Sequence, residues 1–196
     1  MPVLAIHTTN PAMIMSNNLF ILNPFNFLAK WGRANEPTLF LLTGFSGAGK
    51  TTWCLKLAEE AAALGWRVRG LCSPAVFESG HKTAIDLLDL HTYTRKRLAV
   101  RKSETTDQLV TKEWQFDSDA LKWGNTLLQP ESCYLFILDE LGPLELERGI
   151  GFTNAFSVLD AHPFRLGCVV VRPSLLQTAQ ERWPSACPIN IAEVRA

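Results

Sequence analysis

Apolar positions fall into two kinds of stretch along this chain. Residues 38–43, 133–138 and 166–171 are short, nearly continuous apolar runs. Runs of that length suit strands buried on both faces, as in a parallel sheet sandwiched between helices. After the first run, Cys54, Leu55, Leu57, Ala58, Ala61, Ala62 and Leu64 recur on one helical face, and Gly65 stands where a left-handed cap would end the helix. Residues 66–72 read as a second strand, and Ser73-Pro74 turns the chain. Ala75-Val76-Phe77 and residues 84–90 flank the polar linker Glu78-Ser79-Gly80-His81-Lys82, a hairpin signal. With a further turn at 91–94 and a strand at 97–100, residues 75–101 form an expected antiparallel meander.

Downstream, residues 114–116 read as extended, and Asp117, Ser118 or Asp119 caps a helix to about residue 128, ended by Gln129-Pro130. A helix is expected over 152–160, a short one capped by Ser174 to about 182, and an edge strand over 190–194. The predicted fold is α/β: a mostly parallel sheet flanked by helices, with an antiparallel meander inserted.

Residues 1–36 break this pattern. Asn10-Pro11, Asn17-Asn18 and Asn23-Pro24 interrupt regular structure. The amphipathic segment from Phe20 to Trp31 has three possible seats: the domain itself, a protein partner or a membrane surface. The expectation is a poorly ordered or peripheral extension over 1–36, with residues 19–31 as the element available to a protein partner. The domain proper is expected over 37–196.

Composition adds mostly exclusions. Lys plus Arg equals Asp plus Glu at 19 each, so net charge gives no argument for nucleic acid or acidic membranes. The most basic stretch, Arg95, Lys96, Arg97, Arg101 and Lys102, has only Tyr93 nearby to stack a base, and no nucleic-acid partner is expected. Its alternatives are attraction of a polyanionic nucleotide and a solvated strand face. The five cysteines are scattered without a Cys-x-x-Cys pair and read as packed thiols. No membrane span is expected, and the first 29 residues carry no Lys or Arg to begin a secretory signal. The expected location is therefore cytoplasmic.

The chemistry starts where the first strand ends. Gly44-Phe45-Ser46-Gly47-Ala48-Gly49-Lys50-Thr51, lying between an apolar strand and a helix, is the phosphate-binding loop pattern. Its glycines permit positive φ and close backbone approach, so successive N–H groups can line an anion site at a helix N-terminus. Lys50 is expected to reach the β- and γ-phosphates, Thr51 to ligate Mg²⁺, and Thr52 to serve another phosphate oxygen or simply the first helical turn. The run at 133–138 ends in Asp139-Glu140. At the carboxyl edge of an α/β sheet, Asp139 would hold Mg²⁺ through water and Glu140 would be the general base for an attacking water. Glu145 is expected either to orient Glu140 or water, or to be a surface acid. Arg172 ends the run at 166–171, and is expected either to act on the γ-phosphate or to form a structural ion pair.

With the phosphate loop, Asp139-Glu140-Leu141-Gly142-Pro143-Leu144-Glu145-Leu146 resembles the nucleoside-triphosphatase family of the thermophilic and human cancer-related type. Gly70-Leu71, Ser79-Gly80-His81-Lys82 and Ile85-Asp86 add to the resemblance, which spans roughly residues 38–180. It implies a RecA-like P-loop fold and slow, Mg²⁺-dependent hydrolysis of ATP, GTP and other nucleoside triphosphates to diphosphate and phosphate. It also implies functional positions at Lys50, Thr51, Asp139 and Glu140. The extension before the phosphate loop and Arg172-Pro173 depart from the family pattern. Two other functions fit the same loop: a P-loop kinase, and a nucleotide-gated adaptor or regulatory binding protein.

Overall fold

The computed structural model describes residues 23–33, 36–101 and 113–191. Among them a nine-stranded sheet runs in the order β6-β5-β4-β2-β7-β8-β1-β9, with β3 paired to β4 off that path. The strands are β1 (Thr38–Thr43), β2 (Val68–Cys72), β3 (Ala75–Glu78), β4 (His81–Asp89), β5 (Arg95–Arg101), β6 (Trp114–Phe116), β7 (Cys133–Leu141), β8 (Phe164–Val171) and β9 (Cys187–Asn190). β2, β7, β8, β1 and β9 are parallel neighbours, while β4 meets β2 antiparallel and starts the meander.

The helices are α1 (Pro24–Trp31), α2 (Lys50–Ala63), α3 (Ser118–Leu127), α4 (Pro143–Leu146), α5 (Asn154–Ala161) and α6 (Leu176–Arg182). Two apolar clusters cover the two faces of the sheet. One joins α1 and α2 to Phe40, Leu42, Leu135, Ile137, Leu166 and Cys168. The other joins α3, α5 and α6 to Leu39, Leu41, Phe136, Leu138, Val169 and Val171. Successive residues of one strand thus enter opposite clusters, which explains why the parallel strands read as continuous apolar runs.

The hairpin expected around Gly80 is present. Ser79 and Gly80 both take positive φ (49° and 81°), as a two-residue primed turn requires, and join β3 to β4. The helix cap at Gly65 is also present (φ 76°). Trp66 N–H there donates to Ala61 C=O, closing the helix end, so the strand starts at Val68 rather than residue 66. Asp117 caps α3 by accepting from Ala120 N–H at 2.7 Å. Ser174 does not cap a helix: Pro173–Leu175 form a 3₁₀ turn, and α6 starts at Leu176. The last strand lies at Cys187–Asn190, earlier than expected.

Of the three seats for the segment from Phe20 to Trp31, the described part takes the domain. Phe27 and Leu28 are buried in the α2-side cluster. Phe27 meets Phe40 at 4.9 Å and Trp53 at 5.3 Å, both edge-on, and Trp31 meets Phe40 at 5.1 Å. Phe25 remains exposed on α1, while residues 19–22 lie outside the described part. No helix among the described residues is long and apolar enough to cross a membrane.

Candidate active site

β1 delivers the chain to Gly44 at the carboxyl edge, and α2 leaves from Gly49. Gly47 (φ 79°) and Gly49 (φ 86°) lie in the left-handed region, where a Cβ would be strained. Such a turn sets the loop at the N-terminus of α2, the positive end of the helix dipole, where free N–H groups suit an anion. Lys50 folds back over it: Nζ donates to Gly44 C=O and Phe45 C=O, each at 2.8 Å. Burial lowers the Lys50 pKa, against the opposing pull of Glu140 and Asp139. Phe45, Ser46 and Gly47 are exposed, Ala48, Gly49 and Thr51 half-buried, and Thr52 faces solvent.

The acids come from β7, two strands from β1. Asp139 is buried beside the loop, accepting hydrogen bonds from Ser73 N–H at 3.1 Å and from the Thr51 hydroxyl. Burial raises its pKa to about 6, although both hydrogen bonds oppose the shift. Thr51 and Asp139 therefore meet, as the proposed metal positions require. Ser73 is a site residue that no sequence motif marks, although its place directly after β2, level with the end of β7, is a usable signal.

Glu140 leaves the regular strand. Its φ is 90°, rare for a residue with a side chain, and β7–β8 pairing shifts register between Leu138 and Leu141. Its Oε1 accepts from Arg172 Nε at 2.7 Å and lies 2.5 Å from Arg172 Nη2. Arg172 thus reaches the acid edge, and in this structure its partner is the candidate base.

Glu145 is not a surface acid. It is buried, its Oε2 accepting from Gly142 N–H at 2.9 Å and its Oε1 from Phe152 N–H at 2.8 Å. It fastens the turn after Glu140 to the start of the α5 region. Burial raises its pKa, partly offset by those bonds. Two meander arginines and a lysine are also engaged: Arg97 Nε donates to Asp86 at 2.6 Å, Arg95 lies 3.8 Å from the same carboxylate, and Lys96 sits over Trp123. A cavity of about 730 Å³ opens at the opposite edge, lined by Arg67, Tyr134 and Phe164 among others. Parallel α/β sheets bind ligands at their carboxyl edge, so the phosphate loop remains the candidate site.

A phosphate loop on a strand flanked by β8 and β9, with its acid partner one strand beyond β8, places the molecule in the P-loop NTPase class. Comparison narrows the class: residues 39–180 match the NTPase family model, and the chain belongs to that family, as a nucleoside-triphosphate phosphohydrolase. It is 29% identical over 123 residues to nucleoside-triphosphatase THEP1 of Caldivirga maquilingensis, covering 63% of this chain and 69% of that one. It is 28% identical over 127 residues to the Methanopyrus kandleri enzyme of the same name, covering 64% and 69%. Among solved structures, a human cancer-related nucleoside triphosphatase superposes with a TM-score of 0.60 at 21% identity, covering 78% of this chain and 88% of that one. THEP1 from Aquifex aeolicus superposes with a TM-score of 0.53 at 16% identity, covering 79% and 90%. At those identities the structural matches speak to fold.

Proposed function

We propose that this enzyme hydrolyses nucleoside triphosphates, ATP and GTP among them, to diphosphate and phosphate with Mg²⁺, and that Glu140 is the general base. The observation that carries this reading is the contact between Thr51 and the buried Asp139 carboxylate beside the phosphate loop, with Glu140 next in the chain. These are hard oxygen donors, and a buried carboxylate raised to about 6 gains its charged form from a neighbouring cation, so the pair fits Mg²⁺. When bound, Mg²⁺ would neutralise charge on the β- and γ-phosphate oxygens.

The residues divide the remaining work. Gly44 through Gly49 offer N–H groups to the phosphates, with Thr52 adding another donor at the start of α2. Lys50 exchanges the carbonyls of Gly44 and Phe45 for phosphate oxygens. Glu140 accepts the proton of the attacking water, and Arg172 stabilises charge on the γ-phosphate in the transition state.

Purified enzyme with Mg²⁺ and each nucleoside triphosphate should release phosphate with no acceptor added. Release only in the presence of an acceptor would instead establish a kinase. Lys50→Ala should weaken triphosphate binding by about 10- to 100-fold, the value of a hydrogen bond to a charged group, and lower turnover too. Titration calorimetry reads the first effect, and wild-type affinity would remove Lys50 from the site.

The raised pKa of Asp139 predicts a pH dependence with two signs. The native state holds this proton more tightly than the unfolded chain, whose aspartate titrates near 3.8. In metal-free protein, the group's contribution to stability therefore grows as pH falls from about 6 toward 3.8. Mg²⁺ competes with the same proton, so the melting-temperature gain from Mg²⁺ plus nucleotide should shrink as pH falls through about 6. Thermal melts at pH 5 and 7.5 check this, and equal gains at both would argue against Asp139 as the metal residue.

A further inference from the structure

We propose that the Glu140–Arg172 pair is the device by which this site distinguishes a triphosphate from a diphosphate: Arg172 holds the base until a γ-phosphate takes its place. The proposal rests on the hydrolytic reading above and adds a specificity role to two of its residues.

Register places the arginine. β1 and β8 pair Leu42 with Val170, so Arg172, two residues on, stands level with Gly44 at the mouth of the phosphate loop. The backbone at Glu140 places the acid. Its positive φ and the register shift before Leu141 take the residue out of strand alternation and toward the end of β8. Arg172 then spends two donors, Nε and Nη2, on the single oxygen Oε1. The side chains are 42% and 54% exposed, so the pair sits where solvent screens it and a competing anion can break it.

A terminal phosphate suits that competition. It offers three oxygens and more charge than a carboxylate, and the planar guanidinium fork matches it in two-point contact. A nucleoside diphosphate, its last phosphate held in the loop, has no group at that position and leaves the pair closed. Glu140 is then available to a water only when there is a γ-phosphate to attack. The same exchange gives triphosphate an affinity advantage that comes from Arg172 rather than from the loop.

The test uses the full chain, Mg²⁺, a non-hydrolysable triphosphate analogue and the matching diphosphate. Arg172→Gln should lower the triphosphate-to-diphosphate affinity ratio by about tenfold, as loss of a charge-assisted hydrogen bond implies, with diphosphate affinity within about twofold of wild type. Arg172→Lys keeps the charge without the fork and should fall between. In wild-type enzyme, the Arg172 Nε–H resonance, assigned by its absence from Arg172→Lys, should shift on adding the analogue and stay in place with diphosphate. Equal loss of both affinities, an unchanged ratio, or the same resonance shift with both ligands would overturn the proposal. The resonance is read in wild-type enzyme and its assignment needs only the milder Arg172→Lys variant to fold, so a poorly folded Arg172→Gln leaves the question decidable. Turnover separates the two readings. A normal ratio with lost turnover would leave Arg172 catalytic but not discriminating. A lowered ratio alongside full turnover in Glu140→Gln would keep the discrimination and remove the base.

Discussion

Glu140→Gln should lower turnover of every nucleoside triphosphate by about 10²- to 10⁴-fold, the usual contribution of a positioned general base. Binding of a non-hydrolysable analogue should remain within several-fold of wild type. Glutamine preserves the volume and still offers an oxygen to Arg172, which now donates to Glu140 Oε1 at 2.7 Å. What it cannot do is accept the proton of an attacking water. The backbone is the same for both residues, so the unusual φ of 90° brings no difference in strain. Phosphate release under saturating substrate, with affinity measured separately, distinguishes lost chemistry from lost binding. Turnover within about threefold of wild type, far short of a general-base effect, would mean that another group activates the water.

The second large effect lies outside the site. Phe27→Ala should cost about 3–5 kcal/mol of stability, the usual range for truncating a buried aromatic. Phe27 is fully buried, and its ring meets Phe40 of β1 and Trp53 of α2. Trp53 lies in the first turn after the phosphate loop, so α1 braces the helix that presents Lys50 and Thr51. Phe25, on the same helix but exposed, is the internal control: its alanine variant should change stability by less than about 0.5 kcal/mol. Urea denaturation of both variants measures the difference. An unchanged midpoint for Phe27→Ala would return α1 to the peripheral role expected of the extension.

The sequence around α1 points two ways. Asn23-Pro24 reads as a breaker, yet the Asn23 side chain accepts from Phe25 N–H and Pro24 occupies the first helical turn. Asparagine at the cap and proline just inside are helix-start signals. The same dipeptide carries both meanings, and only the packing of Phe27 against Phe40 decides between them. The parallel strands, by contrast, are legible because burial on both faces leaves a continuous apolar run. The phosphate loop is legible because its function demands glycine, lysine and threonine at fixed spacing.

Contacts between distant strands are not legible. Arg172 and Glu140 meet across 32 residues because β7 and β8 are neighbours, and no local pattern encodes that adjacency. Glu145 misleads for a related reason. A carboxylate near a proposed base invites a catalytic role, whereas its oxygens here go to the N–H groups of Gly142 and Phe152. Such a buried acid looks chemical in sequence and is architectural in space.

The hydrogen bonds from Lys50 to Gly44 and Phe45 have a thermodynamic consequence. They close the loop on itself and tie its six residues from Gly44 to Gly49 into one shape. The entropy of ordering that backbone is lost during folding, not at the moment a nucleotide arrives. At the loop itself, binding then asks one ammonium group to change partners, from two carbonyls to phosphate oxygens.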